Sequence, residues 1–194
     1  EEILDDLMRQ IGRLSPESRA KLADYAAFLI WQEEQEQAKT ITGWSFSFIE
    51  RFKEAAVYAS QGQAGLDVKM APASVGGQSR AALWAHPPVA GQAVIEYHVP
   101  IPQTVNEVRL RLAIGIRDGA EIAEDDLVAF SVKLNGLRLW GHQSNAQSWQ
   151  MFTIPLDVVS GDIARIAFCT EALNRHQWTW AVWGEPELKG LRTG

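Results

Sequence analysis

Carboxylate side chains are concentrated in one segment, residues 118–126, which reads DGAEIAEDD. Several carboxylates close together could hold Ca²⁺ through oxygen ligands, and two at a suitable separation could hydrolyse a glycoside. The spacing does not match an EF-hand loop. The favoured interpretation is therefore a solvated acidic loop, and the alternative is a calcium site with these ligands: Asp118, Glu121, Asp125 and Asp126.

Tryptophan is the second unusual feature, because the chain has eight in 194 residues. An indole ring is broad and flat, so it can stack on the apolar face of a sugar while neighbouring polar groups bind the hydroxyls. The alternative, that tryptophan fills a core, fits Trp183 and Trp84. Two regions combine such rings with polar side chains and predict a ligand groove with these residues: Trp140, Trp149, Trp178, Arg138, His142, Asn145, Arg175 and His176.

Catalytic motifs and a zinc site find no support in the sequence. There is no G-x-S-x-G elbow, no H-E-x-x-H helix and no glycine loop for phosphate. Of the histidines, only His142 and His176 lie in segments that could meet, and zinc needs three or four ligands. Cys169 fits a buried strand position. We therefore predict a non-catalytic binding protein, with no cofactor other than the calcium alternative.

Composition and charge narrow the class of protein further. Hydrophobic residues make up 46% of the chain and charged residues 22%, as in folded proteins with a core. The net charge is −6 and no Lys/Arg cluster occurs, which argues against nucleic-acid binding. No apolar run approaches the about 18 to 20 residues that cross a bilayer, so we expect no membrane partner. With one cysteine and no recognisable signal peptide, we expect a cytoplasmic location.

The first 40 residues have helical periodicity. Ser15, Pro16 and Glu17 predict a helix start, and the second helix then runs from residue 16 to residue 36. A short break before Ser15 predicts an antiparallel helical hairpin over residues 1–40, which must pack on the following domain or form a homodimer through residues 1–36. The apolar stripes are Ile3, Leu4, Leu7, Met8, Ile11 and Leu14, then Leu22, Tyr25, Ala26, Leu29 and Ile30.

From residue 41 onward, short segments of period two predict an all-β domain. Predicted strands cover residues 93–99, 107–116, 128–134, 137–140, 150–155, 164–170 and 177–183. Asn135 and Gly136 between two of them predict a two-residue type I′ turn. Within residues 44–75, the segment WSFSFIERFKEAAVYAS is compatible with a strand that leads into a helical turn. This many strands with frequent turns predicts a β-sandwich or jelly roll.

Four segments in order carry a resemblance over about residues 110–188. They are LAIGIRDG at 112–119, VAFSVKLNGLRLW at 128–140, IPLDVVSG at 154–161 and TWAVWGEP at 179–186. Together they resemble the galactose-binding-like jelly rolls, in particular the carbohydrate-binding modules attached to many glycosidases. The resemblance implies a jelly-roll fold and sugar recognition, and calcium sites are common in such jelly rolls. That group usually has Asp, which supports the local loop network, where this chain has Thr179.

A second resemblance covers residues 1–36. The segment IGRLSPESRAKLADYAAFLIW at 11–31 resembles helical segments of small bacterial antitoxin-like proteins. The resemblance implies dimerisation, and a toxin-neutralising role does not follow from it.

These observations predict a helical hairpin followed by a jelly-roll β-sandwich over residues 41–194. The leading function is recognition of a glycan or a similar polyhydroxylated ligand by the sandwich. The alternative is an intracellular scaffold whose sandwich binds protein and has no affinity for sugar. Exposure of the rings of Trp140, Trp149 and Trp178 in a groove would favour the first function, and burial of all three would favour the second.

Overall fold

The computed structural model describes residues 10–40 and 43–192, with side chains at 10–30 and 43–191. By its internal contacts the chain divides into two units, Glu1–Ile41 and Thr42–Gly194. Within the described residues, no helix combines the length and the apolar character that a membrane crossing requires.

The helical unit contains helix α1, Pro16–Thr40. Ser15 precedes it as predicted, and its Oγ accepts a hydrogen bond from the Ser18 N–H at 3.2 Å. Residues 10–12 are also helical and residues 13–14 form a turn and a bend, while residues 1–9 of the predicted first helix lie outside the described residues. Tyr25, Leu29 and Ile30 of α1 are exposed. The homodimer through residues 1–36 therefore stays a prediction.

Between residues 43 and 192 the chain forms eleven strands and one 3-10 turn, Phe52–Glu54. In chain order the strands are β1 (Trp44–Ser47), β2 (Ala56–Ala59), β3 (Asp67–Val75), β4 (Gln78–His86), β5 (Gln92–Pro100), β6 (Val105–Ile116), β7 (Val128–Leu134), β8 (Leu137–Ser144), β9 (Gln150–Pro155), β10 (Ile163–Ala172) and β11 (Ala181–Arg192).

The strands form two antiparallel sheets. One has the order β3-β4-β11-β6-β9, with β1 paired to β11, and the other has the order β2-β5-β10-β7-β8. The main core lies between them, because Trp183 of β11 contacts Phe130 of β7 and Phe168 of β10 at centroid distances of 5.3 and 5.2 Å. Trp183 is fully buried, which confirms its assignment to the core, and Cys169 is buried as predicted. The predicted β-sandwich is confirmed.

Asn135 and Gly136 form the turn between β7 and β8, since Leu134 pairs with Leu137. Both have positive φ, 51° and 87°. A type I′ turn needs a left-handed backbone at both positions, so the predicted turn is confirmed.

The predicted strand bounds are best where alternation is clearest and fail where the chain turns. β7 and β9 have the predicted bounds. The predicted strand over 177–183 is wrong in its first half, because β11 begins at Ala181 and Trp178 has a positive φ of 65°, outside the β region. β3 and β4 have no counterpart among the predicted strands.

Candidate functional site

The tip of the β3–β4 hairpin lies on the outer surface of the six-stranded sheet. The Asp118 carboxylate, just after β6, accepts hydrogen bonds from the N–H groups of Gly76 and Gly77 at 2.7 and 2.9 Å. Val75 packs on Gly115 of β6, where a Cβ would come 2.8 Å from Val75 Cγ1. A second apolar cluster therefore lies outside the main core, with these buried members: Ala73, Val75, Ala82, Ala113, Trp149 and Val182.

Trp149 belongs to this second cluster and is only 7% exposed. Its Nε1 donates a hydrogen bond to the Gln78 carbonyl at 2.9 Å. Its ring lies on Gly184, where a Cβ would come 2.7 Å from the indole. The prediction that Trp149 is exposed in a ligand groove is therefore wrong. The β3–β4 hairpin, remote in sequence, supplies the surface that buries it.

Trp140 and His142 lie at the side of the sandwich where β8 faces β9. Trp140 is half-buried, with its ring centroid 4.8 Å from Phe152 and 6.3 Å from Trp183. His142 lies 5.1 Å from the same Phe152 ring. These contacts make the two side chains a border of the main core, so they do not join Trp178 in one groove as predicted.

Trp178 instead lies in a row of side chains at the end of the six-stranded sheet. Its ring centroid is 5.1 Å from that of Trp180. The Arg117 guanidinium carbon lies 4.6 Å from the Trp180 centroid and 3.4 Å from the Trp84 centroid. We call Trp178, Trp180, Arg117 and Trp84 the tryptophan–arginine row. Trp178 is 37% exposed and the other three are partly exposed, so the row faces solvent.

Three strands position this row. Trp84 is in β4 and pairs with Val182 of β11. The Arg117 N–H, after β6, donates to the Trp180 carbonyl, before β11, at 3.1 Å. In β4, Leu83 and Ala85 face the main core, so Trp84 faces outward, as strand alternation requires. The row thus depends on the register of β4, β11 and β6 together.

Two cations, Arg117 and Lys69, lie against the rings of the row. Lys69 Nζ lies 4.4 Å from the Trp84 centroid and 3.3 Å from Asp67 Oδ2. Arg117 has no hydrogen bond or ion pair from its side chain to any residue that the structure describes. Burial lowers the pKa of Arg117, and the charge of Asp67 opposes this effect. The row therefore offers flat rings and a guanidinium whose N–H donors are not taken up by the described protein.

The loop before β11 is supported from within. Thr179 is fully buried, and its Oγ1 donates a hydrogen bond to the His176 carbonyl at 2.5 Å. The Thr179 carbonyl in turn accepts a hydrogen bond from His86 Nδ1 at 2.9 Å. Thr179, which stands where the resembling group has Asp, thus takes part in the local loop network.

The histidine pair differs from the predicted one. The rings of His86 and His176 lie 4.4 Å apart between centroids. His142 packs on the opposite edge of the core instead, so the prediction that His142 and His176 meet is wrong. His176 still lies beside the tryptophan–arginine row through this loop.

The acidic loop, residues 118–126, is held by hydrogen bonds from residues that were predicted to bind a ligand. Asp126 is 3% exposed and accepts hydrogen bonds from Arg175 Nε at 2.9 Å, with Arg175 Nη2 at 2.8 Å. The hydrogen bond from Arg175 lowers the pKa of Asp126. Asn145 Nδ2 donates to the Glu124 carbonyl at 2.7 Å. Arg175 and Asn145 therefore hold the loop, and their side chains are already engaged.

The predicted calcium ligands do not converge. Asp118 binds the β3–β4 turn, Asp126 binds Arg175, and Glu121 and Asp125 are exposed. Among the described residues, no group of three or more His, Cys, Asp or Glu side chains could hold a metal ion. These residues do not fit a calcium site.

Arg138 is the remaining predicted ligand residue, and it lies far from the row. It is exposed next to the Asn135–Gly136 turn and packs over Gly141 of β8. Of the eight predicted ligand residues, the structure thus brings Trp178 and His176 to one end of the sandwich, where Arg175 and Asn145 are engaged in holding the acidic loop.

Sequence reasoning missed Trp84, Arg117 and Trp180 as members of one surface. The prediction that Trp84 fills the core is wrong for the main core between the sheets. The Trp84 ring packs instead against the second apolar cluster on the outer face. Alternation in ALWAH was a usable signal, because it sets Trp84 opposite Leu83 and Ala85. Nothing local in the sequence indicates that Arg117 packs on Trp84.

A separate pocket opens at the other end of the sandwich, where β1 pairs with the last residues of β11. It has a volume of about 320 Å³ and is lined by Trp44, Ser45, Phe46, Arg51, Glu54, Pro100, Ile101 and Pro102. Arg51 is paired there with Glu54 at 2.8 Å. The pocket is therefore a second candidate ligand site, and the charge of its cation, Arg51, is already neutralised by Glu54.

Comparison with known proteins gives a result only at the level of structure. No protein-family model and no curated protein matches the sequence. The tandem CBM51 modules of Sp3GH98, a family 98 glycoside hydrolase from Streptococcus pneumoniae SP3-BS71, match with a TM-score of 0.57 and 11% identity. The match covers 78% of this chain and 49% of that one.

A second solved structure, CBM51-2 in complex with GlcNAc and INT domains from Clostridium perfringens ZmpB, has a TM-score of 0.52 and 12% identity. It covers 76% of this chain and 32% of that one. The chain thus spans about half the length of the first structure and about a third of the length of the second. Similarity at this identity concerns the fold alone, and it shows that the sandwich shares the fold of these two solved structures.

Proposed function

We propose that the sandwich binds a glycan on the tryptophan–arginine row, as a non-catalytic module. The observation that carries the proposal is the exposed ring of Trp178 next to Trp180 and Arg117. Aromatic faces suit the apolar face of a sugar, and guanidinium N–H groups suit its oxygens. A sugar bound there would find both types of contact within one short surface.

The fold supports the same proposal. Modules of this fold occur in a glycoside hydrolase, and one was solved in complex with GlcNAc. Fold alone does not fix function, whereas the side chains of the row determine which ligand can bind there. The alternative scaffold function would need a protein ligand, and it is one outcome of the test below.

The test is calorimetry with a panel of neutral and acidic oligosaccharides. We expect a dissociation constant between about 1 mM and 1 µM for the best ligand, or about −4 to −8 kcal/mol. Trp178→Ala should weaken binding by about 2 kcal/mol or more, because it removes a central aromatic anchor. The fold should be intact, since Trp178 contacts solvent on one side.

Two control variants separate affinity from stability. Leu137→Ala changes an exposed apolar side chain at the distant β7–β8 turn and should leave binding unchanged. Trp183→Ala removes a fully buried ring and should lower the free energy of unfolding by about 3 to 5 kcal/mol. Absence of binding to every panel member at millimolar concentration would refute the glycan function and leave the scaffold function.

A further inference from the structure

Arg117 differs from the other arginines that the described sandwich buries at least partly. Arg80 faces a carboxylate, with Nη1 2.9 Å from Glu185 Oε2. Arg111 likewise has Nη1 3.9 Å from Glu187 Oε1. Arg117 has two indole rings in place of a carboxylate. Among the residues that the structure describes, the carboxylate whose charge acts on Arg117 is that of Asp67, and it is paired with Lys69 at 3.3 Å.

Burying a cation without a counter-charge costs free energy, even when aromatic rings recover part of it. Burial lowers the pKa of Arg117, which is the direction expected for a desolvated cation. The chain as a whole carries −6, so this local positive charge is not a consequence of overall composition. A bound anion would supply the missing partner.

We propose that the glycan bound at the tryptophan–arginine row carries an anionic group, such as a uronic acid carboxylate, that pairs with Arg117. This inference rests on the proposed function and names the class of sugar. The guanidinium has a planar fork of N–H donors that matches two carboxylate oxygens. Because the rings of Trp84 and Trp180 fix the guanidinium in position, little side-chain entropy remains to be lost on binding.

A neutral sugar would leave the charge of Arg117 without a counter-charge. Arg175, an arginine with a structural role, is by contrast paired with a carboxylate of the protein. Arg175 is directed at both oxygens of Asp126. Lys69, the other cation beside the row, is held by Asp67. Of the two cations at the row, Arg117 is therefore the one whose side chain has no ion pair with a described residue.

The experiment measures affinity for charged and masked forms of the same glycan. The probes are a galacturonic acid tetramer, its methyl ester, and chondroitin tetrasaccharides without and with sulfate. We expect the acid to bind at least about tenfold more tightly than its ester, which corresponds to about 1.4 kcal/mol. This preference should decrease as salt is raised, because the interaction is electrostatic. The chondroitin pair distinguishes a carboxylate from a sulfate as the source of the anion.

The variant is Arg117→Gln, which should bind acid and ester equally. Its matched control is Arg109→Gln, which removes an exposed arginine from β6, the strand that precedes Arg117, and should retain the preference. If Arg117→Gln does not fold, the salt dependence of the unmodified protein still decides the question. Equal affinity for acid and ester in the unmodified protein overturns the anionic ligand but not glycan binding. Binding of no probe and no panel sugar overturns both.

Discussion

At the scale of single residues, Trp178 has a backbone conformation that few large side chains adopt. Its φ is 65°, in the left-handed region. Such a conformation costs on the order of 1 to 3 kcal/mol and persists only when the surroundings hold it. The Trp180 N–H donates to the Trp178 carbonyl at 2.8 Å, and the Ala181 N–H donates to the Thr179 carbonyl at 2.8 Å. The strain holds a large ring at the surface, where it contributes little to the core.

His86 gives the loop a dependence on pH. Burial is the main cause that lowers the pKa of His86 below its usual 6.5, and the neighbouring His176 and Arg117 charges act in the same direction. Asp67 and the hydrogen bond to Thr179 oppose this effect. The unfolded chain therefore binds more protons than the folded one between the lowered pKa and 6.5. We expect the contribution of His86 to the free energy of unfolding to be fully present above pH 6.5 and to decrease as the pH falls from 6.5 toward the lowered pKa.

The measurement is the midpoint of urea unfolding at several pH values between about 8 and 5.5, a range above the usual titration of carboxylates. His86→Gln should reduce the dependence on pH. His98→Gln, which changes an exposed histidine in β5, should retain it. An identical pH dependence in the His86 variant and in the unmodified protein would show that this residue is not its source.

At the scale of elements, the β3–β4 hairpin tip buries Trp149 and Val75 against the six-stranded sheet. Gly115→Ala tests this packing, because the new Cβ would lie 2.8 Å from Val75 Cγ1 and 3.4 Å from the Ser148 carbonyl. Overpacking of this kind costs about 1 to 3 kcal/mol. We expect the free energy of unfolding, measured with denaturant, to fall by that amount.

The control for this variant is Gly62→Ala, at a glycine with no atom within 4 Å of the new Cβ. It should leave stability within about 0.5 kcal/mol of the original value. A Gly115→Ala protein as stable as the Gly62→Ala protein would mean that the hairpin tip does not pack on β6 as described.

Elements with regular alternation could be predicted from the sequence, and others could not. β7 alternates apolar side chains toward the core and ends at an Asn-Gly turn, so its bounds follow from local pattern. β3 contains Pro72 and two alanines, Ala71 and Ala73, which have low strand propensity. It tolerates Pro72 because it lies at a sheet edge, and its partner β4 is fixed only by pairing.

At the scale of the whole molecule, the sandwich brings distant segments to one end. Trp84, Arg117 and Trp180 belong to three separate parts of the chain and meet through the register of β4, β6 and β11. The sequence indicated Trp178 and His176 as site residues because tryptophan and polar residues are close there. It also grouped Trp140 and Trp149 with them, because nearness in sequence does not reveal which face of which sheet a ring occupies.

The acidic loop, residues 118–126, likewise depends on contacts that are distant in sequence. A cluster of carboxylates in the sequence suggests a bound cation, because the sequence does not show which protein groups pair with those carboxylates. In the structure Asp118 and Asp126 are each held by donors from remote segments, Gly76 and Arg175 among them. Long-range hydrogen bonds of this kind leave no local trace in the sequence.

The most direct test of the central claim follows the indole N–H signals of the eight tryptophans by NMR during titration with the tightest oligosaccharide of the panel. Single Trp→Phe variants assign the signals. If the glycan binds the tryptophan–arginine row, the signals of Trp84, Trp178 and Trp180 should shift with a common dissociation constant. Those of Trp140, Trp149 and Trp183 should stay in place. A shift confined to Trp44, in the pocket at the opposite end, or saturation without any shift in the row, would contradict this account.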